Sequence, residues 1–424
     1  MRILHTSDWH IGRRFERESL EHDQRAFLCW LASLVEEHDV DLVVVAGDVY
    51  DRSMPGEDAV LLLDEGLDRL RATGATVAMV PGNHDSARRL GFGARRQALG
   101  GVHVFADDSR PPEPWLFEAG GEALAVVAVP YLDPLVAPPP LPADDGSPRA
   151  RNHAHVLTDF LRAGRAALGR HRGVPSLAIA HAFVAGAAPS DSEKLLAIGG
   201  TELVEASLFD GFDYVALGHL HRPQLVGGDQ RVAYSGSPLA YSFSEEHPKS
   251  VRLVEVSDGQ CSNVSTVTVP VGRPVATLEG TLESLLTDPE LDRHVDHWVA
   301  AQLTDRTTQV QPLERLRARF PHAVSVRYAP SAPGGGGRVR RAGRLAADGS
   351  PRAVVDMVLG FLEEVGGRPP EVWARALVDE AVAAARSELG SVAAAPTVAA
   401  PTVAAPTVTA STVAAPTFAA GGGT

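Results

Sequence analysis

The sequence contains little cysteine and no long apolar run. Cys29 and Cys261 are the only cysteines among 424 residues, which excludes a disulfide framework and a CxxC zinc site and favours a reducing compartment. The first residues lack the apolar stretch of a signal peptide, and no uninterrupted apolar run reaches the length of a membrane-spanning helix. We therefore expect a cytoplasmic protein that does not enter a membrane.

The sequence also lacks an excess of positive charge. A formal net charge of −14 at pH 7 argues against a diffuse basic surface for nucleic acid. This balance leaves open a local basic groove, or a site whose positive charge comes from metal ions. An apolar fraction of 44% and a length of 424 residues predict a globular protein with an ample core, divided into two or three domains.

Strands and helices alternate in the first part of the chain. Residues 42–45 are four consecutive apolar residues, three of them β-branched, which is typical of a strand buried on both faces of a parallel sheet. The alternating strands and helices are predicted at 1–7, 18–37, 41–46, 57–72 and 76–80. Further strands are predicted at 176–180 and 213–217, and shorter β segments, which suggest a second sheet, at 231–235, 251–256 and 263–269. We predict a layered α/β fold over residues 1–272, with a two-sheet sandwich flanked by helices.

The pattern changes after residue 272. Residues 275–332 predict a small α+β unit, with helices at 281–287 and 312–319 between strands. Four successive glycines within 332–337 indicate a flexible connector, and two helices are predicted within 353–390, the first of them amphipathic. Residues 391–424 carry repeats of Ala-Ala-Pro-Thr-Val, which predict a disordered tail.

Polar residues follow five of the predicted strands. These motifs are Ser7-Asp8-Trp9-His10, Gly47-Asp48, Gly82-Asn83-His84-Asp85, Ala180-His181 and Gly218-His219-Leu220-His221. Alternate residues of extended chain face the same way, so Asp8 and His10 can converge, as can His219 and His221. The motifs supply two carboxylates, four imidazoles and one amide oxygen, a mixture that suits Mn²⁺ or Fe²⁺. Asp48, on the central strand, is the natural bridge between two ions ~3.5–4 Å apart.

The order and wording of these motifs resemble a known superfamily. Asp-x-His, Gly-Asp-x-x-Asp, Gly-Asn-His-Asp, a lone histidine and Gly-His-x-His resemble the calcineurin-like metallophosphoesterases. The segments Thr6–Gly12, Gly47–Arg52 and Tyr234–Pro238 narrow the resemblance to the SbcD family, the nuclease subunits of bacterial SbcCD complexes. The motifs cover residues 1–270. By order and size alone, residues 275–332 resemble that family's capping domain and residues 353–390 its SbcC-binding segment.

The resemblance implies a metal-ligand set and a catalytic pair. It assigns one divalent ion to Asp8, His10, Asp48 and His221, and the other to Asp48, Asn83, His181 and His219. We expect both ions to be Mn²⁺. His84 matches the family's catalytic histidine, which is not a ligand and assists the leaving oxygen, and Asp85 is predicted to orient it.

The implied function is hydrolysis of DNA. The resemblance implies 3′→5′ exonuclease action on double-stranded ends and endonuclease action on single strands or hairpins, in DNA repair, replication and recombination. It also implies a homodimer within a heterotetramer with the SbcC ATPase, which would gate access to the nuclease. The alternative is a stand-alone metallophosphoesterase that acts on a cyclic nucleotide or a pyrophosphate. Such an enzyme has the same metal ligands, but it does not need the residues beyond 272. A non-catalytic DNA-end-binding scaffold is disfavoured because every ligand and His84 are present.

Several other residues are predicted to have structural roles, and for the arginine clusters two roles are possible. His5, His22, His103, His153 and His294 are expected to be core or surface residues rather than ligands. Trp9 is expected to pack in the core, with base stacking as the alternative. The arginines at 88, 89, 95 and 96 could contact a DNA backbone or lie on a solvated face, and those at 338–344 carry the same alternatives.

Overall fold

The computed structural model describes residues 1–143, 145–190, 193, 203–329, 355, 358–359 and 373–382. The chain divides into two compact units, Met1–Pro330 and Ser331–Thr424. The predicted glycine connector, the arginines at 338–344 and the repeat tail lie outside the described residues. Within 353–390 the described positions, 355, 358–359 and 373–382, are helical.

The secondary structure alternates as the sequence predicts. In chain order the strands are β1 (Arg2–Thr6), β2 (Arg14–Phe15), β3 (Glu18–Ser19), β4 (Leu42–Ala46), β5 (Thr76–Val80), β6 (Val102–Val104), β7 (Trp115–Ala119), β8 (Glu122–Ala128), β9 (Ser176–His181), β10 (Phe183–Val184), β11 (Leu203–Val204), β12 (Tyr214–Gly218), β13 (Gln224–Val226), β14 (Asp229–Tyr234), β15 (Ser250–Ser257), β16 (Gln260–Thr268), β17 (Val275–Gly280), β18 (Trp298–Leu303) and β19 (Ala323–Tyr328). The helices are α1 (Glu21–Glu37), α2 (Glu57–Ala72), α3 (Ala87–Leu90), α4 (Ala94–Gln97), α5 (His153–Leu168), α6 (Leu282–Thr287) and α7 (Pro312–Arg317), with 3₁₀ turns at Ala98–Gly100, Ala206–Phe209 and Pro289–His294.

Two six-stranded sheets form the body of the first unit. The first sheet has the order β16-β15-β1-β4-β5-β6, and the second has the order β13-β14-β12-β9-β8-β7. The strands β1, β4, β5 and β6 run parallel, as do β8, β9, β12 and β14. Parallel pairing directs the carboxyl ends of the central strands to one edge of each sheet, where ligands bind in open α/β sheets.

Apolar residues hold the layers together. The inward faces of the two sheets share one core, which contains Val44 and Ala46 of the first sheet and Ile179 and Ala216 of the second. A second core joins the first sheet to α1 and α2, and a third joins the second sheet to α5. The predicted sandwich flanked by helices is therefore confirmed.

The assignment of strands to sheets needs two corrections. The predicted segments at 251–256 and 263–269 join the first sheet rather than the second, because β15 pairs antiparallel with β1. The second sheet instead gains the β7–β8 hairpin, which was not predicted. Gly120 and Gly121 form its turn with φ of 58° and 83°, so a Gly-Gly signal for a hairpin was present in the sequence.

Residues 275–328 carry a third sheet with its own core. The strands β17, β18 and β19 are parallel, and α6 and α7 lie along the chain between them, as predicted. Leu278, Leu285, Val299 and Phe320 are buried together in this core. Among the described residues, no helix combines the length and apolar character needed to cross a membrane.

Candidate metal centre

The two sheets approach each other closely where their central strands end. A Cβ atom on Gly47 would lie 2.2 Å from Nδ1 of His181, and one on Gly82 would lie 2.1 Å from Oδ1 of Asp48. Real Cβ atoms do not approach other atoms so closely, and Gly47 also has φ of +93°. The glycines of the predicted motifs are therefore required, because polar side chains occupy the space beside them.

Several polar residues at these strand ends have strained backbones. Asp8, His10, Asp48 and His219 have φ of 52°, 44°, 49° and 104°. They are four of the eight non-glycine residues with positive φ in the described ranges. A left-handed residue costs about 1 kcal/mol, so this concentration marks a site whose side chains are aimed at the expense of local stability.

One group of donor atoms forms around His10. Nε2 of His10 lies 3.1 Å from Nε2 of His221 and 3.5 Å from Oδ2 of Asp48. Asp8, His10 and His221 each offer a donor atom within 4.8 Å of the others, and all three are buried. The structure therefore brings together the four residues predicted for the first ion.

A second group forms around Asn83. Its Oδ1 lies 2.9 Å from Nε2 of His181 and 3.1 Å from Nδ1 of His219. Nε2 of His181 also lies 3.4 Å from Oδ2 of Asp48. The residues predicted for the second ion thus meet as well, and Asp48 adjoins both groups, as its position on the central strand predicted.

The donor set fits divalent cations. Nδ1 of His181 donates to the carbonyl oxygen of Ala46 at 2.9 Å, and Nδ1 of His221 donates to Oε1 of Glu245 at 3.0 Å. These bonds direct each Nε2 atom into the site, where it offers a lone pair once any proton on it is displaced. Two carboxylates, four imidazoles and an amide oxygen form a mixed oxygen and nitrogen set, which suits Mn²⁺ or Fe²⁺ rather than a structural zinc.

Burial and neighbouring charges set the protonation of these groups. Burial lowers the pKa of His10 to about 3, and burial together with His181 holds the pKa of His219 well below its usual range, so both imidazoles are neutral at pH 7. Burial opposes ionisation of Asp48, but His181 and His10 outweigh it and hold the pKa of this carboxyl well below its usual value. Burial likewise opposes the charged form of His181, but Asp48 and Asp8 raise its pKa to about 9, so metal binding must displace this proton.

His84 lies beside the donors and is held by the main chain. Its backbone N–H donates to Oδ1 of Asp48 at 2.9 Å, and its Nδ1 donates to the carbonyl oxygen of Asp51 at 2.9 Å. Its ring centroid is 4.8 Å from that of His10, and its side chain is half-buried. Because Nδ1 carries the proton, Nε2 is left for a substrate.

The predicted role of Asp85 is wrong. Its carboxylate accepts hydrogen bonds from the backbone N–H groups of Val49, Tyr50 and Gly82 at 3.0, 2.8 and 2.9 Å. The carboxylate therefore links the loop after β4 to the loop after β5 by hydrogen bonds. The ring of His84 is oriented by the carbonyl of Asp51 instead. Burial and the neighbouring Asp48 raise the pKa of Asp85 to about 7.

Trp9 and His5 are both buried in the protein core. Trp9 is 1% exposed and its Nε1 donates to Oγ1 of Thr6 at 3.0 Å, which confirms packing and excludes base stacking. His5 is fully buried and its ring bonds the hydroxyl of Tyr214 at 3.0 Å and the carbonyl of Leu217 at 3.1 Å. His5 is thus a core residue, as expected.

A set of polar residues that the sequence motifs did not predict supports the donors. Oγ of Ser7 donates to Oδ2 of Asp8 at 2.5 Å and lies 2.9 Å from Oγ of Ser235. The missed residues also include Glu193, Tyr241, Glu245 and Lys249, which surround His221 and His10. No local pattern marks these residues, since each acts through a partner distant in sequence.

Two family models match the chain. Residues 1–223 match the model of the calcineurin-like phosphoesterases, and residues 271–354 match the SbcD_C model, described as the type 5 capsule protein repressor C-terminal domain. The chain therefore belongs to the calcineurin-like phosphoesterase family, and it is a hydrolase of phosphoric ester bonds.

Sequence relatives narrow this family further. Two proteins named as the SbcD subunit of the nuclease SbcCD, from Escherichia coli strain K12 and Escherichia coli O157:H7, are each 34% identical over 312 residues, or 72% of this chain and 78% of theirs. Within the phosphoesterases the chain thus belongs to the SbcD family, which confirms the resemblance carried by its motifs. Solved structures with partial likeness include a dimetal phosphatase from Danio rerio, with 15% identity, a TM-score of 0.39, and coverage of 63% of this chain and 99% of that one. A Thermus thermophilus protein has 16% identity, a TM-score of 0.34, and coverage of 63% and 98%.

Proposed function

We propose that this protein is a DNA nuclease that hydrolyses phosphodiester bonds with two divalent ions, Mn²⁺ in each subsite. The observation that carries the proposal is the convergence of seven buried or half-buried donor residues at one edge of the sandwich, with His84 beside them. One subsite would consist of Asp8, His10, Asp48 and His221, and the other of Asp48, Asn83, His181 and His219. The 34% identity to proteins named as nuclease subunits of SbcCD supports DNA as the substrate.

The residues of the site have distinct roles in this reaction. When bound, the ions supply Lewis acidity to the scissile phosphodiester and the attacking water. Asp48 holds the two subsites together and also accepts the backbone N–H of His84. That bond fixes the distance between His84 and the donors. In the doubly protonated form of His84, Nδ1–H stays on the carbonyl of Asp51 and the proton on Nε2 can pass to the leaving oxygen.

The charge of the site is consistent with an anionic substrate. Its donors include two carboxylates, and the imidazoles of His10 and His219 are neutral because burial lowers their pKa values. Two divalent ions would therefore leave the site with a positive charge of about two, despite the net charge of −14 of the chain. Three exposed arginines, Arg88, Arg95 and Arg96, come soon after the Gly-Asn-His-Asp motif in the chain and line a cavity of about 980 Å³. Their positive charge supports contact between this cavity and a DNA backbone.

The wider proposal concerns the reaction and its partners. We propose 3′→5′ exonuclease action on double-stranded ends and endonuclease action on single strands or hairpins, in DNA repair, replication and recombination in the cytoplasm. Residues 275–332 would be a capping domain, residues 353–390 an SbcC-binding segment, and residues 391–424 a tail without a role in catalysis. The name of the relatives, which makes them part of SbcCD, supports an SbcC ATPase partner.

Exposed apolar side chains support a homodimer within the proposed heterotetramer. Five large apolar residues lie exposed in two stretches of chain, namely Met54, Val60, Leu61, Phe92 and Leu99. Nη1 of Arg89 donates to the carbonyl of Ser53 at 2.9 Å, which places the beginnings of the two stretches side by side. Apolar surface of this kind is typical of interfaces between subunits.

The test is a comparison of substrates. The purified protein is incubated with Mn²⁺ and, separately, with blunt duplex DNA, a DNA hairpin and bis-p-nitrophenyl phosphate, with Asp48→Ala as the control. We expect Asp48-dependent cutting of the duplex and the hairpin. Turnover of the small diester with intact DNA, unchanged by added SbcC and ATP, would instead favour a small-molecule phosphoesterase. Bound Mn²⁺ without turnover of any substrate would favour a DNA-end-binding scaffold.

A further inference from the structure

Three charged side chains are buried around His221. Glu245, Lys249 and Glu193 are 1%, 9% and 3% exposed. Burial of charged groups is costly even when they are paired, so such a cluster is weak evidence of a stabilising role. His221 is the residue that all three contact.

Glu245 contacts the ring of His221. Its Oε1 accepts the Nδ1–H of His221 at 3.0 Å, and its Oε2 accepts from Nζ of Lys249 at 2.5 Å and from the backbone N–H of Tyr241 at 3.2 Å. One oxygen therefore faces the imidazole while the other is anchored, so the carboxylate cannot rotate away from the ring.

The main chain of His221 is held by the other two residues. Its backbone N–H donates to Oε1 of Glu193 at 2.7 Å, and its carbonyl accepts from Nζ of Lys249 at 3.3 Å. The same Oε1 of Glu193 lies 3.3 Å from Nδ1 of the ring, farther than Oε1 of Glu245 at 3.0 Å. Lys249 also donates to Oγ of Ser237 at 2.9 Å, which places this ammonium group between the main chain and the carboxylate of Glu245. Both the position and the rotation of the imidazole are therefore determined by buried groups.

The other candidate ligands are held differently. Nδ1 of His181 faces the carbonyl of Ala46 at 2.9 Å, and Nδ1 of His10 lies 3.6 Å from Oδ1 of Asp51, beyond normal hydrogen-bond length. Nδ1 of His219 lies 3.1 Å from the amide oxygen of Asn83. Of these four histidines, all in the described part of the chain, His221 is therefore the one whose ring donates a hydrogen bond to a buried carboxylate. A carboxylate on Nδ1 fixes the tautomer and makes Nε2 more basic, which strengthens its bond to a metal.

We propose that Glu245, anchored by Lys249, is a positioning residue for His221 and strengthens divalent-metal binding in the subsite of Asp8, His10 and His221. This inference rests on the proposed metal centre, and it adds a residue outside the ligand set. The subsite of Asn83, His181 and His219 has a carbonyl in the corresponding place, so the two subsites should respond differently to a change at position 245.

The test measures Mn²⁺ binding rather than turnover. Metal-free full-length protein is titrated with Mn²⁺ while electron paramagnetic resonance follows the free ion. For Glu245→Gln we expect one of two binding constants to weaken about 10-fold or more, with the other unchanged. Hydrolysis should then require more Mn²⁺, and the rate should recover at saturating Mn²⁺. The matched control is Glu246→Gln, because Glu246 is adjacent and exposed, and it should bind both ions as the unaltered protein does.

A second variant separates positioning from a general disturbance of the core. Glu245→Gln leaves Lys249 without its buried carboxylate, whereas Glu245→Gln combined with Lys249→Met removes both charges. If the weaker binding persists in the double variant, the carboxylate acts on His221, and the proposal holds. If binding returns to that of the unaltered protein, the unpaired lysine caused the loss, and the proposal is overturned. The double variant also provides the measurement if Glu245→Gln alone does not fold.

His221→Ala distinguishes this inference from the metal centre itself. We expect this variant to lose one ion entirely. Retention of both ions would overturn the proposed ligand set. Loss of one ion in His221→Ala, with unchanged Mn²⁺ binding in Glu245→Gln, would leave the metal centre intact and overturn only the role of Glu245.

Discussion

The two sheets supply different donors to the same site. The first sheet supplies both carboxylates, Asp8 and Asp48, and the second supplies three of the four imidazoles, at positions 181, 219 and 221. The first sheet thus carries the charge that attracts cations, and the second carries most of the neutral nitrogen atoms that complete their coordination.

The sheets also hold their donors by different means. On the first sheet the main chain does so, since Asp8, His10 and Asp48 all have positive φ, whereas His219 alone of the three histidines on the second sheet has one. On the second, hydrogen bonds orient the rings, as with His181 on the carbonyl of Ala46 and His221 on Glu245. The first mode is set within a few residues of chain, whereas the second needs partners from elsewhere. The complete site therefore forms only when the sandwich is closed, and metal binding is coupled to folding.

The largest expected effect distinguishes the shared carboxylate from a single imidazole. Asp48→Ala should lose both ions and all detectable phosphodiester hydrolysis, because Asp48 adjoins both groups of donors. His181→Ala should lose one ion and retain the other. Metal content per chain, measured by mass spectrometry, checks both variants. One ion retained in Asp48→Ala would contradict the bridging role.

Substitution of His84 should have a large effect on turnover but not on metal binding. His84 follows strand β5 of the first sheet and is not one of the proposed metal ligands. His84→Ser should reduce kcat ~10²–10⁴-fold, because the leaving oxygen loses its proton donor. Mn²⁺ stoichiometry and DNA binding should stay as in the unaltered protein. His22→Ser, at an exposed histidine, is the control. If His84→Ser lost an ion, His84 would be a ligand.

A moderate effect is expected where the first sheet makes room for Asp48. In Gly82→Ala the new Cβ would lie 2.1 Å from Oδ1 of Asp48, so the carboxylate must move. We expect a loss of about 1–3 kcal/mol in the free energy of unfolding and weaker Mn²⁺ binding. Gly100→Ala, where no atom lies within 4 Å of the new Cβ, is the matched control in urea unfolding and Mn²⁺ titration. Equal behaviour of the two variants would show that Asp48 is not confined there.

The smallest effect concerns the closure of the sandwich itself. His5 of the first sheet bonds Tyr214 and Leu217 of the second, and burial, aided by Arg252, lowers its pKa to about 3. The unfolded chain gains a proton on His5 below its ordinary pKa of about 6.5 while the folded protein does not, so this residue costs stability as the pH falls from about 6.5 towards 3.

Removal of this histidine should therefore flatten the pH dependence. As the pH falls from 6.5 to 5, the free energy of unfolding of the metal-free protein should decrease. We expect this decrease to be smaller in His5→Gln than in the unaltered protein, by up to ~1.4 kcal/mol per pH unit. Urea unfolding at several pH values checks this, with His103→Gln, at a half-buried histidine, as the comparison. Parallel curves for His5→Gln and the unaltered protein would mean that His5 is not buried in a neutral form.

Much of the fold could be predicted because its signals are local. Helix α2 was predicted at 57–72, where it is observed, since Leu62, Leu63 and Leu70 recur at helical spacing on its buried face. The assignment of 251–256 and 263–269 to the second sheet was wrong, because the sequence of an apolar strand does not indicate which strand it pairs with. Pairing of β15 with β1 joins residues about 250 positions apart, as in Arg2 opposite Glu255.

The same division applies to the site. The donor types and their order could be predicted from the motifs, because each motif follows a strand and strand ends share an edge in a parallel sheet. The residues that orient the donors became apparent only in the folded chain: the carbonyl of Asp51 rather than Asp85 orients His84, and Glu245 orients His221. The two kinds of information differ in how far along the chain they reach. A glycine or an aspartate after a strand acts through the next few dihedral angles, whereas a hydrogen bond to a buried ring depends on which distant segments the closed sandwich brings within about 3 Å.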